Sequence, residues 1–117
     1  MLSERSRGLV GASAFEAMKP GAILINTSRG PIVDNNALIA CLHRKTDCMA
    51  GIDVFDEEPL PFDHPMRDRE LIESGRLLLT PHLGYVTEQT WRVFYQQTVE
   101  AIAAWQTDKP IRLLTPA

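Results

Sequence analysis

A chain of 117 residues, 44% hydrophobic and 23% charged, has the make-up of one soluble globular domain or part of a larger one. Its formal net charge of -3 implies no basic face for nucleic acid, and no run approaches the ~18 apolar residues of a membrane span. The N-terminal MLSERSRGLVG lacks the apolar core of a signal peptide. Cys41 and Cys48 form no CxxC pattern and read as buried free thiols, so a cytoplasmic location is the expectation.

Ser13 and Glu16 have capping-box spacing for a short helix from Ala14 to Met18, which Lys19-Pro20-Gly21 stops. Ile23 to Asn26 is a continuous apolar run ended by Asn, the pattern of a buried parallel strand. Asp34 can cap the next helix, in which Ala37, Leu38, Cys41 and Leu42 make one apolar stripe ending near Arg44. Met49 to Val54 is the second strand and completes a strand–helix–strand unit of right-handed crossover. A long polar loop from Phe55 to Gly75 carries a helical turn around Arg69 to Glu73, and Leu77 to Thr80 is the third strand. From Thr87 to Trp105, Trp91, Phe94, Tyr95, Thr98, Ile102 and Trp105 recur at helical spacing, and Lys109-Pro110 ends that helix. Three central strands with these helices leave both sheet edges and one face uncovered, as in half of a domain.

Each strand ends in chemically capable residues: ILINTSRG, MAGIDVFDEEP and RLLLTPHLG. In an open parallel sheet, ligands bind beyond the carboxyl ends of the strands, so Arg29, Asp53, Glu58 and His82 gather at one edge if the strands are adjacent. Arginine's planar fork binds a carboxylate bidentately. A lone Arg is more often a surface residue, and DEEP by itself reads as a solvated acidic run. Asp53, in an otherwise apolar strand, must accept from backbone N–H groups or from a ligand such as a carboxamide. A carboxylate partner fixes the tautomer of an imidazole and favours its charged form, which separates His82 from a structural histidine. His43 and His64 show no such partner in the sequence. The histidines lack metal-ligand spacing, and no metal is expected.

Taken in order, these segments closely resemble the D-isomer-specific 2-hydroxyacid dehydrogenase family. LSERSRGLVG, EAMKPGAILINTSRGPIVD, AGIDVFDEEPLP and TPHLGYVTEQT follow one another in its register across nearly the whole chain. The resemblance implies an α/β fold: the C-terminal half of a Rossmann-type parallel sheet with flanking helices and a long C-terminal helix. Residues 1–106 then form a partial NAD-binding domain that includes helix 87–105, and residues 107–117 lead towards the family's substrate domain. By position, Arg29 resembles the substrate-binding arginine, Glu58 the glutamate paired with the catalytic histidine, and His82 the general acid/base. Asp53 resembles the aspartate that holds the nicotinamide carboxamide, and Thr27, Ser28 and Gly84 match positions lining the cofactor.

The implied reaction is hydride transfer between NAD or NADP and a small 2-keto or 2-hydroxy acid. The family's GxGxxG phosphate loop is not among these residues. The expectation is therefore a dehydrogenase fragment, little active alone. The alternative is a non-catalytic half-Rossmann module that self-associates, as a homo-oligomer, or complements another fragment.

Overall fold

Short apolar runs separated by capped helices build a parallel sheet. The computed structural model describes residues 2–114. Its elements are α1 (Ala12–Ala17), β1 (Ile23–Asn26), α2 (Asn35–Arg44), β2 (Met49–Ile52), α3 (Arg69–Glu73), β3 (Leu77–Leu79) and α4 (Glu88–Gln106), with 3-10 turns at Gly30–Ile32 and Pro65–Arg67. The chain divides into two compact units, Met1–Leu83 and Gly84–Ala117.

In the first unit the strands lie side by side in the order β1-β2-β3, all parallel. Asn26 pairs with Ile52, and Ile52 with Leu79, so the carboxyl ends of the three strands are level. Before β1, Val10 pairs with Val33 in an isolated parallel bridge, flanked by Gly8 N–H to Pro31 O and Asp34 N–H to Val10 O.

The core lies on one face of the sheet. Leu38, Cys41 and Leu42 of α2 are buried against Phe15 of α1, Ala50 and Ile52 of β2, Met66, Leu71 of α3 and Leu77 of β3. Full burial of a leucine or phenylalanine stabilises by roughly 1.5–3 kcal/mol, so this stripe dominates the unit's stability. The other face follows from the period of two. Ile23, Ile25 and Leu78 remain 59%, 70% and 65% exposed, so the apolar run of β1 is covered on one side only.

Helix ends follow local chemistry. Asp34 caps α2 by accepting from Ala37 N–H, and Asp68 caps α3 by accepting from Leu71 N–H. Helix α1 differs from expectation: it starts at Ala12 behind an extended Gly11, with no side-chain cap, which puts Ser13 inside the first turn. Its hydroxyl therefore makes no capping box. Strands β2 and β3 stop before Asp53 and Thr80, whose backbone N–H groups continue the ladder to Asn26 O and Ile52 O, each at 3.0 Å. Cys41 and Cys48 are buried free thiols.

In the second unit, Thr87 caps α4 by accepting from Thr90 N–H. Along the helix, Trp91 and Tyr95 stack with ring centroids 5.0 Å apart, and Arg92 pairs with Glu88 one turn earlier. Arg112 returns to pair with Glu100. The apolar residues at helical spacing are exposed throughout, and α4 buries none of its side chains. Among the described residues, no helix is long and apolar enough to cross a membrane.

Candidate active site

The turn after β1 is organised by Asn26. Its side chain is buried, accepts from Ser28 N–H at 3.1 Å and donates to Arg29 O at 3.0 Å. Thr27, Ser28 and Arg29 are thereby carried, exposed, over the carboxyl end of the sheet. Gly30 follows in a space too small for any side chain, because a Cβ there overlaps the backbone of Phe55 and Asp56. This close approach brings the Arg29 turn against the segment that follows β2.

Asp53 is buried just beyond β2. Its Oδ1 accepts from the Thr80 hydroxyl at 2.5 Å and from Leu83 N–H at 2.8 Å. Its own carbonyl accepts from His82 N–H at 2.8 Å. One carboxylate thus joins the ends of β2 and β3 and fixes the backbone around His82, which meets the cost of its burial. His82 sits at φ 57°, in the left-handed region that non-glycine residues seldom enter. Backbone bonds to Asp53 O and Thr80 O hold it there. Such strained positions concentrate at functional sites.

Glu58 bridges. Its Oε1 accepts from Phe55 N–H at 2.9 Å and its Oε2 lies 2.8 Å from His82 Nδ1. The hydrogen bond from His82 holds the Glu58 carboxyl below its ordinary value of 4.5, with the Phe55 N–H and the charges of His82 and Arg29 acting in the same direction. Arg29, Glu58 and His82 therefore share one electrostatic neighbourhood. Phe55, Glu58, Leu60, Arg67, Thr80 and His82 border a cleft of about 560 Å³.

The other histidines are not isolated. His43 Nε2 lies 2.7 Å from Asp68 and His64 Nε2 lies 3.2 Å from Asp56, which corrects the expectation that only His82 has a carboxylate partner. Asp68 is held below its ordinary value of 3.8, first by the Leu71 N–H and then by His43. A carboxyl with a depressed folded pKa contributes stability above its unfolded value, and this is lost as pH falls through the folded one. Asp68→Asn keeps a good cap but removes the charge. It should lower chain stability near neutral pH, and the deficit should vanish well below pH 3.8 in urea titrations at a series of pH values. Among the described residues, no group of three or more His, Cys, Asp or Glu side chains could hold a metal.

The sequence family described as the D-isomer specific 2-hydroxyacid dehydrogenase NAD binding domain matches residues 1–84. The chain belongs to this family. Glyoxylate/hydroxypyruvate reductase B of Enterobacter agglomerans is 45% identical over 89 residues, covering 76% of this chain and 26% of that protein. The chain thus spans about a quarter of the length of the curated relatives it matches. A D-isomer specific 2-hydroxyacid dehydrogenase of Xanthobacter autotrophicus Py2, solved with NADPH and MES, covers 98% of this chain and is matched over 45% of its own length at 34% identity and TM-score 0.68. D-lactate dehydrogenase of Lactobacillus jensenii, solved with NAD+, covers 99% of this chain and is matched over 37% of its own length at 26% identity and TM-score 0.79. These neighbours bear out the Rossmann-type α/β reading of a D-2-hydroxyacid dehydrogenase domain.

Of the expected site residues, Arg29, Asp53, Glu58 and His82 stand together at the carboxyl edge of the first unit, with Thr27 and Ser28 at the end of β1. Gly84 opens the second unit. Asn26, Gly30 and Thr80 belong to the site's framework, a role that the sequence does not mark. An Asn closing an apolar run and a Thr at a strand end were the only signals available.

Proposed function

We propose that this chain carries the acid–base part of an NAD(P)-dependent D-2-hydroxyacid dehydrogenase acting on a small 2-keto or 2-hydroxy acid. The observation that supports it best is the Glu58–His82 pair beside Arg29 at the carboxyl edge of a parallel sheet. Glu58 occupies Nδ1 of His82 and fixes the tautomer, so proton exchange with the substrate oxygen falls to Nε2. In reduction, His82 donates that proton to the carbonyl oxygen at C2. Arg29 holds the substrate carboxylate and offsets the negative charge developing on the oxygen.

The nicotinamide end of the cofactor fits the residues present. Asp53 is a buried acceptor at the level of His82, suited to a carboxamide N–H, and Thr27 and Ser28 lie exposed at the end of β1. When bound, the nicotinamide supplies or accepts the hydride. Gly84 takes part in cofactor binding on the same reading, and residues 1–106 form one part of the cofactor domain, with residues 107–117 leading out of it. The 117 residues hold no GxGxxG loop for the pyrophosphate, so affinity and turnover by this chain alone are low.

Calorimetric titration of NADH into the purified chain, with and without an oxamate-like analogue, is the test. No saturable heat is expected. Saturable binding would instead mean that the chain rebuilds a cofactor site, most simply by self-association. That result would overturn the division of labour proposed here.

A further inference from the structure

Glu58 sits exposed in the first part of the long loop that follows β2, and a side chain further along that loop holds the chain just after it. Arg67 lies between two anchors: Met66, fully buried, and Asp68, the cap of α3. From there its guanidinium reaches back. Nη2 donates to Leu60 O and Nε to Pro61 O, both at 2.7 Å, and the guanidinium carbon stands 5.2 Å from the centre of the Phe62 ring. The loop therefore closes on itself six and seven residues before Arg67.

Two residues before the first of these carbonyls is Glu58, whose carboxylate spans Phe55 N–H and His82 Nδ1. Upstream, the loop is held by Gly30 packing on Phe55 and Asp56 and by the Asp56–His64 contact. Downstream of Glu58, Leu60 also packs on the edge of the core. Among the described residues, the backbone hydrogen bond that joins the Arg67 fork on these two carbonyls is His64 N–H to Pro61 O, longer at 3.3 Å. The planar fork presents Nε and Nη2 to two successive carbonyls in a fixed geometry, whereas a lysine would have to meet both from one nitrogen on a flexible stem.

We infer that Arg67 is a positioning residue: by clamping Leu60 and Pro61 it holds Glu58 in register with His82. The inference rests on the reading of Glu58 and His82 as the acid–base pair, but its test does not require catalysis. Arg67 is exposed, so its replacement leaves Met66 and Leu71 in the core.

The experiment is a carboxyl carbon NMR titration of Glu58 in the purified chain, with the His82 ring nitrogens observed in the same samples. Unsubstituted protein, Arg67→Lys, Arg67→Ala and His82→Ala are compared. In the unsubstituted chain Glu58 titrates below 4.5, because His82 and its neighbours hold the carboxylate form. In Arg67→Lys, which keeps the charge and loses the fork, the titration moves back towards that of His82→Ala. In samples where the ring is neutral, the His82 nitrogens then lose their bias towards the Nδ1–H tautomer that the Glu58 contact favours. Arg67→Ala does the same. A Glu58 titration and His82 signature unchanged in folded Arg67→Ala, which removes both bonds, overturn the inference, since a loss of stability alone moves neither. If the Arg67 effect is found but the site supports no hydride transfer, the dehydrogenase reading fails and the clamp stands.

Discussion

Gly30→Ala lowers the stability of the strand-bearing unit by about 3 kcal/mol or more, beyond the common range for overpacking, because the obstacle is main chain. A side chain at the tip of a flexible residue can swing aside. Here the added Cβ meets the carbonyl of Phe55 and the peptide nitrogen of Asp56, and neither moves without dragging β2 or the Glu58 loop. The melting temperature should fall by roughly 12 °C or more for a unit of this size. Thermal unfolding followed by circular dichroism measures this directly. A shift of a few degrees would show that the Arg29 turn and the Phe55 segment separate easily, and that their close approach does not fix the site.

His82→Ala has the largest expected effect on chemistry. Loss of a positioned general acid costs typically 10²–10⁴-fold. The measurement needs a complete cofactor platform, which a chimera provides. This chain's matched residues replace their counterparts in the Enterobacter agglomerans reductase, the 45% identical relative. In that chimera, His82→Ala lowers kcat for 2-keto acid reduction by about 10²–10⁴-fold while NADH binding persists. Glu58→Gln keeps a hydrogen-bonding group near Nδ1 but removes the charge, so its loss is smaller and depends on pH. An alanine variant with undiminished kcat would remove His82 from the reaction.

Much of this was legible because local and global preferences agree. The apolar stripe of α2 and its Asp34 cap, the turn at Arg69 to Glu73 and the long amphipathic α4 all appear where their sequence periods put them. The site was legible for a related reason: apolar strands ending in Arg, Asp and His announce the carboxyl edge of a parallel sheet. What escaped depends on contacts distant in sequence. His43 meets Asp68 across 25 residues, and no spacing rule connects them. Nothing in the sequence around Gly30 shows that its lack of a Cβ serves a contact with a different strand's exit. Ser13 offered a cap that the extended Gly11 made unnecessary by starting the helix earlier. Arg67 reads in sequence as one charge in a charged loop, and only the fold reveals two carbonyls within its reach.

The most direct measurement is the initial rate of NADH oxidation by the unsubstituted chimera with glyoxylate or hydroxypyruvate. The account predicts turnover that depends on the keto acid and collapses in the His82→Ala variant. A folded chimera that binds NADH yet reduces neither acid would contradict the claim that Arg29, Glu58 and His82 form a dehydrogenase acid–base site.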